Sequence, residues 1–150
     1  MFGGYIFPFF AALYYWFPKA TGKRLDEKLG KWHFWLMTPS FLILTLYMMR
    51  VGLLGMRRRI ADYDPALGFD FSHLIMTIAA FGIALAVLIF FYNIYKTLKS
   101  GEAATGNIWN SRSPEWQVPS PMPAHNYEKE FEVVGEPYDY GLPGSSYVKM

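Results

Sequence analysis

Residues 71–95, FSHLIMTIAAFGIALAVLIFFYNIY, contain no Asp, Glu, Lys or Arg. About 20 predominantly apolar helical residues cross the roughly 30 Å hydrocarbon layer of a bilayer. This run of 25 exceeds that length. Inside such a layer a segment must pair its own backbone polar groups, which a helix does and an open strand does not. Two further stretches, 1–18 and 32–49, are also uncharged. Soluble domains of 150 residues rarely carry such runs. The chain therefore reads as a membrane protein. A soluble enzyme, a nucleic-acid binder and a disulfide-stapled secreted domain are excluded. The absence of cysteine removes thiolate nucleophiles, Cys-ligated zinc and iron–sulfur clusters as well.

Three apolar helices are expected, over about residues 2–17, 32–56 and 71–97, in a transmembrane region covering 1–100. The first, FGGYIFPFFAALYYWF, is roughly 25 Å long at 1.5 Å per residue, so it reads as a truncated span. It lacks the basic start and the small-residue cleavage site of a signal peptide. Pro8 is expected to loosen its middle and Pro18 to stop it. Its end, Tyr14–Phe17, is an aromatic cluster of the kind found at membrane–water interfaces. Pro39 is expected to kink the second helix. In the third, Ala79, Ala80, Gly82, Ala84 and Ala86 allow another helix to approach closely. The tail, 101–150, has six prolines and five glycines and no long apolar run. It reads as an extended inner-side segment that is ordered only by lying on a partner. The fold class is thus an all-α membrane protein. It has two full transmembrane helices plus one truncated N-terminal helix, part of a larger helix bundle, with an extended C-terminal tail.

Charge is unevenly spread: residues 1–100 carry a net +6 and residues 101–150 a net −4. Lys19, Lys23, Arg24, Lys28, Lys31, Lys96 and Lys99 lie at one end of the two full spans. Arg50, Arg57, Arg58 and Arg59 lie at the other. The excess of basic residues puts the 19–31 loop and the tail on the inner side. Three consecutive arginines, Arg57–Arg59, then stand on the outer side and call for anions. The guanidinium is planar, always charged and suited to bidentate pairing with carboxylate or phosphate. Lipid phosphates, the nearby Asp62 and Asp64, and the propionates of a haem all have the right chemistry. His33 opens the second helix on the inner side and His73 opens the third on the outer side. They are too far apart to share a metal and read as interfacial hydrogen-bonding residues. No Ser/His/Asp, paired-carboxylate or phosphate-loop pattern is present, and Gly3-Gly4 reads as a helix-packing surface. No catalytic or metal-ligating residue is assigned.

Three strings together resemble one family. They are YYWFPKATGKRLDEKLGKWHFWLM at Tyr14–Met37, GLLGMRRR at Gly52–Arg59 and SPEWQVPSPMPAHNY at Ser113–Tyr127. In order and spacing they are similar to the C-terminal part of subunit I of haem–copper terminal oxidases, of the cytochrome c oxidase type. The likeness covers about residues 1–127, and 128–150 read as an extension. It implies that Arg58 and Arg59 hydrogen-bond the haem propionates on the outer side. It also implies that Met37 and Val87 pack near the low-spin haem. The family's haem and copper ligands and proton-channel acids fall upstream of the matched region. The sequence departs from the family at Arg57, where proline is usual, at Met49 and Arg50, at Pro39 and Tyr47, and at His73.

The resemblance implies a split C-terminal segment of subunit I, one that completes the haem-binding bundle of a proton-pumping complex. That complex reduces oxygen to water with electrons from cytochrome c. Its haem, of a type, would be shared with a partner chain and its copper held on that chain alone. Partners would be the remaining part of subunit I, other oxidase subunits, cytochrome c and membrane lipids, with no nucleic acid. The bacterial plasma membrane is favoured, with the mitochondrial inner membrane as the alternative. A competing reading is a non-catalytic structural or assembly subunit of a respiratory complex, and a third is a fragment of a longer chain.

Overall fold

A computed structural model describes residues 2–104, 106–127, 130–136, 138–139 and 148–149. Much of the expected 128–150 extension lies outside the described residues. The chain divides into two compact units, Met1–Leu25 with Lys96–Met150, and Asp26–Tyr95.

In the first unit a π-helical turn, Phe2–Ile6, leads into helix α1, Phe7–Thr21. Pro8 lies in the first turn of α1, where the missing N–H interrupts little. Pro18 does not stop the helix, contrary to expectation. A proline costs its own helical hydrogen bond, and the last turn is held by other means. The Gly22 amide donates to the Pro18 carbonyl at 2.8 Å, and Thr21 Oγ1 donates to the Phe17 carbonyl at 2.8 Å. Gly22 has φ 69°, the left-handed geometry that ends many helices.

The tail closes on this helix end. Ala104 N donates to Gly22 O at 2.8 Å, Met122 N to Lys19 O at 3.2 Å, and Arg24 N to Glu102 O at 3.0 Å. A Cβ on Gly22 would stand 2.7 Å from Pro121 Cδ, so glycine is required for space as well as for φ. A four-residue helix α2, Pro114–Gln117, carries Trp116, which is fully buried. Its ring lies 5.0 Å from Tyr15, 5.4 Å from Trp16 and 6.4 Å from Trp109. The buried Lys19 ammonium sits 5.4 Å from the Trp116 ring and donates to the Val118 carbonyl at 2.6 Å. The surface that orders this stretch of tail is therefore the chain's own first helix. Further on, Glu132–Val133 (β1) pairs antiparallel with Val148–Lys149 (β2) in a two-residue ladder.

The second unit is an antiparallel pair formed by helix α3, Glu27–Leu53, and helix α4, Asp70–Ser100, as far as Tyr95. Helix α3 starts five residues before the expected 32. Asp26 Oδ1 caps it by accepting from Lys28 N at 2.9 Å and Leu29 N at 3.2 Å. The helix runs unbroken through Pro39. Contacts step regularly along the pair. Asn93 meets Asp26, Phe90 meets His33, Gly82 meets Ser40 and Ser72 meets Arg50. Ser72, Ala79, Ala86 and Asn93 are buried at seven-residue intervals, a seam in which small side chains admit the facing helix. Of the five small residues expected to allow close approach, Ala79 and Ala86 are buried and Gly82 faces Ser40, whereas Ala80 and Ala84 are exposed. Asn93 is fully buried, and its amide makes reciprocal 3.0 Å bonds with the Asp26 backbone N–H and carbonyl.

Both long helices are long and apolar enough to cross a membrane. Their outward faces carry large exposed side chains, including Trp35, Leu46, Ile78, Phe81 and Phe91. In water such faces would cost far more than isolated surface hydrophobes do.

Candidate functional site

The loop from Leu54 to Phe69 joins α3 to α4 and carries the three arginines. Its first residues are tied to the helix they leave: Gly55 N donates to Gly52 O at 3.1 Å, and Met56 N to Val51 O at 3.2 Å. Arg57, Arg58 and Arg59 follow, all exposed. Arg59 has φ 59°, a left-handed backbone conformation that non-glycine residues seldom adopt. Such a conformation costs about 1 kcal/mol or more and persists where the surroundings or a function require it.

Among the described residues, no carboxylate lies within ion-pair distance of Arg57, Arg58 or Arg59. The two nearby acids are engaged locally. Asp62 Oδ1 accepts from Tyr63 N at 2.8 Å. Asp64 Oδ1 accepts from Ala66 N at 2.9 Å, capping the short 3₁₀ turn Pro65–Leu67. Of the three anion sources that the sequence leaves open, the internal one is thus not used. Three forked guanidiniums in solvent-facing positions fit an external group bearing more than one anionic oxygen. The two propionates of a haem have that chemistry, and so do lipid phosphates.

The rest of the loop is fastened to the start of α4. Tyr63 donates its hydroxyl to Asp70 Oδ1 at 2.6 Å. Its ring stacks on His73, with centroids 5.2 Å apart and planes 22° apart. Phe69, buried, lies 5.7 Å from the same ring. The hydrogen bond to Asp70 raises the Tyr63 pKa, and slight desolvation and the charges of Asp70 and Asp62 add to it. Arg50, in the last turn of α3, donates to the buried Ser72 hydroxyl at 2.6 Å and pins the two helices beside the loop.

A family model described as cytochrome c and quinol oxidase polypeptide I matches residues 1–85. The chain belongs to this family. The matched region of this oxidase-family chain covers α1, α3, the arginine loop and the first half of α4. The chain is 42% identical over 142 residues to "Cytochrome c oxidase subunit 1" of Thermostichus vulcanus, covering 95% of this chain and 25% of that protein. It is 43% identical over 129 residues to "Putative cytochrome c oxidase subunit 1-beta" of Streptomyces coelicolor, covering 85% of this chain and 22% of that protein. "Cytochrome c oxidase subunit 1" of Corynebacterium glutamicum is 40% identical over 129 residues, with the same two coverages. The chain thus spans about a quarter of the length of the curated relatives it matches.

Within this oxidase-family framework the sequence-derived residues fall at separate places. Arg58 and Arg59 stand next to each other on the loop between α3 and α4, exposed and open to an external ligand. Met37 is buried in the middle of α3, and Val87 is half-buried on α4. His33 is buried, its ring 5.3 Å from Phe90. Reading the sequence missed the Tyr63–Asp70–His73 cluster and the Arg50–Ser72 bond. The spacing of Asp70 and His73, three apart on a helix and so on one face, was a signal that could have been followed. Arg50 was in view as a cation at the end of a span, but its partner on the facing helix was not.

Proposed function

We propose that this chain serves as the C-terminal segment of a terminal oxidase subunit I, completing the helix bundle around the haem. The observation that carries this reading is the arginine loop: exposed guanidiniums without a carboxylate partner among the described residues, in a chain of the oxidase family. Arg58 and Arg59 hold the propionates of a haem, shared with a partner chain that supplies the haem and copper ligands. The haem, when bound, supplies one-electron chemistry. The guanidiniums orient its carboxylates, neutralise them and stabilise added negative charge. The apolar faces of α3 and α4 seal the low-dielectric pocket, with Val87 packing on the haem side, whereas Met37, already buried within the chain itself, has no surface left for a haem. The assembled complex, in a bacterial plasma membrane, reduces oxygen to water with electrons from cytochrome c and pumps protons. Its haem is of a type, and other oxidase subunits and lipids cover the remaining apolar surface.

Purification through this chain from a gently solubilised membrane tests the proposal. The expected result is a complex holding a larger membrane subunit and a haem visible in a reduced-minus-oxidised spectrum. A complex with no haem and no larger membrane subunit would refute it. Intact mass and the upstream reading frame would establish whether the chain is encoded separately.

A further inference from the structure

We infer that Tyr63 is a positioning residue for the arginine loop: held by Asp70, His73 and Phe69, it fixes the far end of the stretch that presents Arg58 and Arg59. The inference rests on the proposed role of those arginines and adds the device that aims them.

Among the described residues, 57–61 make no hydrogen bond to either helix beyond the local turn at Arg58–Arg59, and their side chains are exposed. Where the guanidiniums point therefore depends on how the two ends of the stretch are tied. The near end is tied by Met56 N to Val51 O. At the far end Tyr63 is the first side chain gripped by a helix. The 3₁₀ turn that follows bonds within itself, through Asp64 Oδ1 to Ala66 N and Gly68 N to Pro65 O, and so does not tether the loop. Tyr63 does. Asp70 and His73 lie on one face of the first turn of α4, and Tyr63 uses both, the first by a 2.6 Å hydrogen bond and the second by stacking. Phe69 closes a third side. His73 Nε2 is buried with no hydrogen-bond partner among the described residues. Packing on Tyr63 is thus a main constraint on that ring.

The test is the haem midpoint potential, measured by equilibrium redox titration in the assembled complex carrying this chain. A guanidinium close to propionates stabilises the extra electron, so Arg58→Met with Arg59→Met lowers the potential. Tyr63→Phe keeps the ring and removes the hydroxyl. It is expected to lower the potential in the same direction and by less. Asp70→Ala should match Tyr63→Phe, whereas Asp70→Asn, which retains an acceptor oxygen, should stay at the wild-type value. Adding Tyr63→Phe to the double arginine variant should give no further shift. If the arginine variant shifts the potential while Tyr63→Phe and Asp70→Ala do not, the positioning role alone is overturned. If none of them shifts it, the propionate role falls and the positioning role with it. A shift in Tyr63→Phe without one in the arginine variant also overturns the inference, because Tyr63 would then act by another route.

Discussion

Replacing Trp116 by alanine should release the tail from α1. The indole is fully buried and packs on Tyr15, Trp16, Trp109 and the Lys19 ammonium. Truncating a buried tryptophan to alanine costs about 3–5 kcal/mol. Its Nε1 has no hydrogen-bond partner among the described residues. Removing an unsatisfied buried donor returns about 1 kcal/mol or more. The net cost is then about 2–4 kcal/mol, a factor of about 30 to 1,000 in the docked population at roughly 1.4 kcal/mol per tenfold. Trp116→Phe keeps most of the ring contacts and removes the unpaired donor, so it should cost less than about 1.5 kcal/mol. Hydrogen–deuterium exchange of the purified complex reads both variants through the amides of Ala104 and Met122, which bond to Gly22 and Lys19. Alanine should abolish most of their protection and phenylalanine should preserve it. Unchanged protection in Trp116→Ala would show that ring packing does not hold the tail.

Gly22→Ala must adopt a left-handed φ and place a Cβ against Pro121, so it should destabilise by at least about 1–2 kcal/mol, seen as faster proteolysis of the tail. Asn93→Leu removes both bonds to the Asp26 backbone and takes the partner from the part-buried Asp26 N–H, while the Asp26 carbonyl keeps its bond from Gly30 N, for a cost of about 1–3 kcal/mol read as a lower melting temperature. The Tyr63 pKa is raised in the folded chain above its unfolded value of about 10. The stability it contributes is therefore fully present below that unfolded value and is lost as pH rises through the higher folded one. The phenolate absorbance difference between wild type and Tyr63→Phe should show its inflection above that of an ordinary tyrosine; one at or below the ordinary value would contradict the hydrogen bond.

The membrane-crossing helices were legible because composition alone decides them. The uncharged run at 71–95 lies wholly within α4, and the small residues beneath it forecast the close packing at Ala79, Gly82 and Ala86. The start of α3 was missed because apolar residues begin only at Trp32. The Asp26 cap and Glu27 behind it were a helix-start signal in view. Pro18 does not stop α1 because its cost is local, one hydrogen bond, and the Gly22 amide and Thr21 hydroxyl hold the last turn past it, while the tail that docks there comes from about a hundred positions away. Lys19 reaches Val118 across 99 residues, and no periodicity announces such a pairing. The arginines were legible as an unmet demand for anions. The grip on Tyr63 was not, because it depends on how a loop folds back onto a helix turn.

Whether Arg58 and Arg59 face haem propionates is decided by redox titration of the complex carrying Arg58→Met with Arg59→Met. Removing two cations from beside the carboxylates destabilises the reduced haem. The midpoint potential should fall clearly below that of the wild-type complex, with the haem still bound. A wild-type potential in a fully assembled complex would contradict it and assign the arginines to lipid headgroups or to carboxylates of a partner subunit.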